Sequence, residues 1–238
     1  MFVGPSIVTD GLVFSIDVGS KKSYPGSGTT IYDLSGNNNN ATLTNGPLVV
    51  NSINQGSVQT DGSNDYISVS NMPTGTSWTI QTWTFIDGPT TFSVTGHRTY
   101  ACTDYFRFQW DDKSTNVAYA PFVDFSSAAG SANITGFTNK SEDDVFNKWN
   151  QVTMASDGTT ISLYWNDTKG TSSSITRNFS SNGNMQIGYN GLSGLGGTDI
   201  FNRDGGDCYF GPTMVYNRGL SQSEVLQNYN ATKSRFGL

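Results

Sequence analysis

An all-β sandwich of antiparallel strands is the fold this sequence predicts, and three observations predict it. Apolar residues alternate with polar ones in short runs, and Gly, Asn, Asp and Pro break those runs at fairly regular spacing. Aromatic residues make up 13% of the chain, enough to fill a core between two sheets. At 238 residues, a single domain spanning 1–238 is expected, because large sandwiches reach this size without dividing.

Taken in order, Gly11 to Asp17 places Leu12, Phe14 and Ile16 on one face of a first strand. The stretch Ser23 to Gly28, followed by Asp33-Leu34-Ser35-Gly36 and Asn37 to Asn40, reads as ordered turns. Short Asx side chains there bond to backbone two residues on. Strands are predicted over Ser57 to Thr60, Tyr66 to Ser70, Thr79 to Ile86 and Tyr105 to Trp110. Further ones are predicted over Asn184 to Tyr189 and Tyr209 to Tyr216. Residues 111–144 read as short strands and long loops. The clearest signal is a hairpin: Trp149 to Ser156 and Thr159 to Asn166 flank Asp157-Gly158, a two-residue turn. Setting Ser156 opposite Thr159 puts Met154 across from Ile161 and Val152 across from Leu163. One helix is predicted, of about three turns. Ser221-Gln222-Ser223-Glu224 has capping-box spacing, Val225, Leu226 and Tyr229 form an apolar stripe, and Lys233 and Arg235 suit a C-terminus.

Composition excludes several functions. The net charge is −6, and the 13 Lys and Arg residues are scattered, with no run longer than Lys21-Lys22. Nucleic acid is therefore not an expected partner, since phosphate binding needs clustered cations. Charged residues are only 13% of the chain, about half the usual share of roughly 25%, so Ser, Thr, Asn and Gly must cover the surface. The opening MFVGPSIVTD lacks the charged and apolar regions of a secretory leader, and no apolar run is long enough for a membrane helix. Cys102 and Cys208 are expected as buried thiols, although their pairing stays open. Asn-X-Ser/Thr triplets at Asn40, Asn133, Asn139, Asn166, Asn178 and Asn230 follow from the Asn-, Ser- and Thr-rich composition.

Several segments carry a resemblance. They are GLVFSIDVGSKKSYPGSGTTIYDLSGNNNNATLTNG, SVQTDGSNDYISV, WNQVTMASDGTTISLYWND, MQIGYN and YFGPTMVYNRGLSQSEVLQNYNATKSRFGL. Their order and spacing between Gly11 and Leu238 resemble the laminin-G-like branch of the concanavalin A-like lectin/glucanase superfamily. That resemblance implies a jelly roll of two antiparallel sheets, with first and last strands adjacent and a short C-terminal helix. The opening SYPGSGTTIYDLSGN and the ending LQNYNATKSRFGL most resemble stand-alone forms of the domain and modules of tailed-phage structural proteins.

Superfamily hydrolases carry two Glu flanking an Asp on one strand, placed to act as nucleophile and acid/base. This chain has two glutamates, Glu142 and Glu224; Glu224 reads as a cap, and no second Glu follows Glu142 on a strand. His97 is the only histidine, which rules out a multi-His metal site, and it reads as part of a turn. No catalytic residue is expected. Relatives that hold calcium at the sandwich rim make it the one cofactor to weigh. Asp199, Asp204 and Asp207, in a glycine-rich loop, are the candidate ligands, with Asp33, Asn37 and Asp65 as further ones. A sugar site needs an aromatic platform beside planar polar groups, and Trp110, Asp111, Asp112 and Tyr119 are the candidates. Trp78, Trp83, Trp149 and Trp165 read as packing residues.

The resulting expectation is a non-enzymatic phage virion structural protein displayed on the particle, as a head decoration, tail or fibre component. Its partners would be other virion proteins or copies of itself, with host-surface glycans as a further contact. The alternative is an autonomous, extracellular carbohydrate-binding or adhesion module, calcium-dependent if the Asp candidates bind the ion.

Overall fold

The period-2 segments of the sequence become β-strands in the computed structural model, which describes residues 5–51, 56–61, 63–87, 97–111, 120–125, 133–135, 137, 142–189 and 208–238. In chain order the first are β1 (Leu12–Ile16), β2 (Thr30–Ile31), β3 (Ala41–Thr44), β4 (Leu48–Val50), β5 (Ser57–Thr60) and β6 (Tyr66–Val69). Next come β7 (Ser77–Ile86), β8 (His97–Cys102), β9 (Phe106–Asp111), β10 (Ala120–Phe125) and β11 (Asn133–Thr135). A short helix α1 (Glu142–Val145) leads into β12 (Trp149–Asp157), β13 (Ile161–Trp165), β14 (Thr168–Ser173), β15 (Met185–Ile187) and β16 (Cys208–Tyr216). The chain closes with α2 (Gln222–Thr232) and a 3-10 turn over Lys233–Phe236.

These strands form two antiparallel sheets packed face to face, the predicted jelly-roll sandwich. The first runs β14-β13-β12-β7-β16-β5-β4, with β1 also on β16; the second runs β11-β10-β9-β8-β15-β6-β3-β2. First and last strands pair, Ile16 with Thr213 and Leu12 with Tyr216, as the resemblance implied. Between the sheets lie Phe14, Ile16, Ile80, Phe108, Leu163 and Phe210, all buried. Trp78 stacks on Phe106 at 5.4 Å and meets Phe179 edge-on at 5.3 Å, while its indole N–H donates to the Arg177 carbonyl. The aromatic body fills the core and the polar edge is satisfied.

Within β16 the inward residues change parity: Cys208 and Phe210 face the core, and so does Val215. Strict alternation forbids that without an extra residue. The register with β7 shifts between Phe210 and Thr213, at Gly211-Pro212, where proline has no N–H for the ladder.

The hairpin forms, but with a wider turn than predicted. Ser156 pairs with Ile161, Met154 with Leu163 and Val152 with Trp165, a shift of two residues. Asp157 causes it: its Oδ1 accepts from the backbone N–H groups of Thr159 and Thr160 and from the Thr159 hydroxyl, enclosing both threonines in the turn. An even shift keeps every side chain on its predicted face. His97 also departs from expectation, lying at the start of β8 in register with Asp111 and not in a turn.

The predicted helix is present with both halves of its capping box: Ser221 Oγ accepts from the Glu224 N–H, and Glu224 accepts from the Ser221 N–H. Val225 and Tyr229 are buried as expected, whereas Leu226 is 38% exposed. The buried face continues instead through Asn228, whose amide docks the helix. Cys102 and Cys208 are buried thiols not joined to each other.

Candidate functional site

The two sheets turn very different outer faces away from the core. On the first, the outward positions of β7, β12 and β16 include Trp83, Phe85, Trp149, Tyr209 and Tyr216. The C-terminal segment covers them: Phe236 stacks on Trp83 at 4.2 Å and meets Trp149 at 4.7 Å, and Tyr229 stacks on Trp83 at 5.7 Å. A side chain at Gly211 would run into this cover, because a Cβ there would lie 3.0 Å from Trp83 Cβ and 3.2 Å from the Phe236 ring. Beneath the helix a buried polar network closes on itself. Asn228 Nδ2 donates to Gln81 Oε1 and the Tyr216 hydroxyl, its Oδ1 accepts from the Val8 N–H, and Gln81 Nε2 donates to Gln151 Oε1. Burial pushes the Tyr216 hydroxyl up to about 12, against the pull of its bond with Asn228, so it stays protonated.

The second sheet presents a polar surface across β3, β6 and β15 that no described element covers. Ala41 and Leu43, Ile67 and Val69, and Met185 and Ile187 point into the core, so Thr42, Tyr66, Ser68 and Gln186 point out. Pairing brings them together: Thr42 is opposite Ser68, and Ser68 is opposite Gln186. They line a shallow depression of about 280 Å³ together with Asn40, Ser70 and Asn184. Tyr66 walls it and is backed by Tyr189, stacked at 5.4 Å and 17°. Gly188, just before Tyr189, takes φ +86°, and a Cβ there would press within 3.0 Å of the Phe210 ring.

Polar capacity in the depression is only partly used. Gln186 Oε1 accepts from the Cys102 thiol at 3.7 Å, and Asn40 Oδ1 accepts from the Asp33 N–H at 3.0 Å. Among the described residues, Asn40 Nδ2, Thr42 Oγ1, the Tyr66 hydroxyl, Ser70 Oγ and the Asn184 side-chain amide make no hydrogen bond within the protein. Asn184 is fixed through its backbone. Its N–H donates to Asn182 Oδ1, and Ser180 in the same turn donates to Asp104 Oδ1 at 2.8 Å. Partial burial draws the Asp104 carboxyl upward, but hydrogen bonds from Ser181 and Ser180 outweigh it and hold the group below the usual carboxylate range.

A second depression, of about 350 Å³, lies beside the start of α2, with Asp157, Tyr164, Lys169 and Glu224 on its walls. Its Glu224 is already engaged. Paired with both terminal nitrogens of Arg218 at 2.6 and 3.1 Å, the carboxyl is held down at about 2.

Of the residues singled out in the sequence, Trp110 and Asp111 end β9, with Trp110 opposite Arg98 and Pro121 and Asp111 opposite His97 and Ala120. Asp112, Tyr119, Asp199, Asp204 and Asp207 lie outside the described residues. Asp33 accepts from the N–H groups of Ser15, Ser35 and Asn39 and from the Ser35 hydroxyl, so it closes its own loop. Among the described residues, no three His, Cys, Asp or Glu side chains gather where a metal ion would sit. The residues around Tyr66 were missed by sequence reading, because SVQTDGSNDYISV signals a core strand and only its partner strands show what its outer positions face.

No protein-family model matches the chain, and no curated protein matches it either. Solved structures do. The binding domain of Paraclostridial Mosquitocidal Protein 1 is similar with a TM-score of 0.67 at 20% identity, over 94% of this chain and 52% of that one. The botulinum neurotoxin serotype D ligand binding domain in complex with N-acetylneuraminic acid matches with a TM-score of 0.66 at 15% identity, over 93% of this chain and 51% of that one. A structure of botulinum neurotoxin type C, a toxin whose cell entry is dependent upon interaction with two ganglioside molecules, matches with a TM-score of 0.68 at 12% identity, over 94% of this chain and 52% of that one. These likenesses show a β-sandwich fold. The chain spans about half the length of each structure, so what those proteins bind belongs to them.

Proposed function

We propose that this chain is a non-catalytic carbohydrate-binding or adhesion module whose ligand sits on the uncovered face of β3, β6 and β15. The observation that carries the reading is the depression walled by Tyr66, where uncharged hydrogen-bonding groups without protein partners surround an aromatic ring. A sugar offers the complement, an apolar ring face with hydroxyls around its edge. The likeness to a ligand binding domain in complex with N-acetylneuraminic acid, and to a toxin whose cell entry is dependent upon two ganglioside molecules, supports the same class of ligand. Against catalysis stands the commitment of Glu224 to its helix cap and to Arg218. Display on a phage particle remains part of the proposal, supported by the resemblance of the opening and closing segments. So does a calcium ion on Asp199, Asp204 and Asp207.

The test is a glycan array probed with the labelled, multivalently displayed protein, with and without a chelator. Binding to a defined set of glycans is expected, and a flat array overturns the reading. Loss of binding on chelation would assign calcium to the site. Density-gradient fractionation of the natural source decides location: banding with DNA-filled particles supports a virion component, and recovery in the soluble fractions refutes it.

A further inference from the structure

Resting on the carbohydrate reading, we infer that this face takes an uncharged glycan end group, a neutral hexose or N-acetylhexosamine, and excludes sialylated ends. The described residues lining the depression are Asn, Thr, Tyr, Ser, Val, Met and Gln, with no cation among these described residues. A carboxylate brought onto such a surface loses water and gains no charged partner. Backbone donors do not replace the missing cation. The three strands are paired on both sides, β3 with β2 and β6, β6 with β3 and β15, and β15 with β6 and β8, so their N–H groups serve the ladders. The net charge of −6 adds a long-range bias against anions.

Neutral sugars meet none of these penalties. The apolar face of a pyranose ring can lie along Tyr66, which its stack with Tyr189 holds upright. The Asn184 amide and Asn40 Nδ2 are planar donors suited to neighbouring hydroxyls, and Thr42 Oγ1 and Ser70 Oγ both donate and accept. An N-acetyl group adds a carbonyl for the amides and a methyl for the aromatic wall. Each single site is shallow and exposed, so affinity must come largely from multivalent display.

The experiment compares the wild-type chain with a Thr42→Ala/Asn184→Ala double variant on an array holding matched neutral and sialylated versions of the same glycans. Thr42 is exposed and Asn184 half-buried, and neither side chain bonds to the protein, so melting temperature serves as the check on folding. Binding to neutral ends, weakened about tenfold by the double variant through the loss of two hydrogen bonds, is the expected result. Capping those ends with sialic acid should abolish it. Two results overturn the inference and leave the carbohydrate reading standing: binding confined to sialylated ends, or neutral binding that the double variant leaves unchanged. An array without any signal overturns both.

Discussion

The outer face of the β7–β12–β16 region and that of the β3–β6–β15 region are built on the same alternating strands, yet one is sealed and the other open. The sealed face carries Trp83, Phe85, Trp149 and Tyr209 at outward positions, and the chain's own C-terminal segment covers them. The open face carries Thr42, Ser68, Gln186 and the edge of Tyr66, and no described element lies over it. A large aromatic surface left in water would cost the fold its apolar burial, so it must recruit a cover. A surface of hydroxyls and amides is stable in water and is therefore left available for a ligand. On the proposed carbohydrate-binding reading, stability and recognition are divided between opposite sides of one sandwich.

The sharpest way to break this comparison is to remove the anchor of the sealed face. Trp83→Ala loses the stacks with Phe236 and Tyr229 and leaves Thr232 Oγ1 without the indole donor. It should cost about 3–5 kcal/mol in urea unfolding. Asn228→Ala comes next. It strands the Val8 N–H and Gln81 Oε1 and takes a donor from the Tyr216 hydroxyl, which keeps its bond to the Val8 carbonyl, and should cost about 2–3 kcal/mol by the same measurement. A cost below half a kilocalorie, on the order of surface substitutions, would mean that the helix is not what holds that face.

Smaller effects sharpen the picture. Glu224→Gln should destabilise by about 1–2 kcal/mol at neutral pH, since the exposed part of its ion pair with Arg218 is screened. Its pH dependence has a definite sign. The folded carboxyl lies at about 2 against an ordinary 4.5, so its contribution is present above 4.5 and is lost as pH falls toward 2. Thermal melts across that window should drop more steeply for wild type than for the variant. The smallest effect on stability belongs to Thr42→Ala/Asn184→Ala, expected within about 0.5 kcal/mol of wild type. A large loss there would show that the open face is part of the scaffold.

Much of this fold was legible in the residues. The capping box at Ser221 and Glu224 and the strand Ser57–Thr60 came out as predicted, because each depends on spacing within a few residues. The turn at Asp157 shows where local reading slips. Asp-Gly announces a tight turn, but the Asp carboxylate gathered three donors and widened it by two residues. Leu226 was placed with the buried stripe, whereas the helix docks through the amide of Asn228, a contact no hydrophobic pattern announces. For the site, the sequence points to Trp110 and the Asp-rich loop, while Tyr66 and Asn184 read only as strand residues and Thr42 falls in no predicted element. Nothing near them in the sequence marks a ligand.

What the sequence alone determined is which side chains share a face, since a period of two residues sends alternate positions to opposite sides whatever lies beyond. It also determined the covering helix, whose start is written in four consecutive residues. The tertiary structure alone decided which strands lie side by side. Thr42 and Gln186 reach one depression only because β6 lies between β3 and β15, strands separated by more than half the chain. It also decided which outer face the C-terminal segment would seal. Both choices depend on the summed burial of residues distant in sequence, and no local pattern carries that sum.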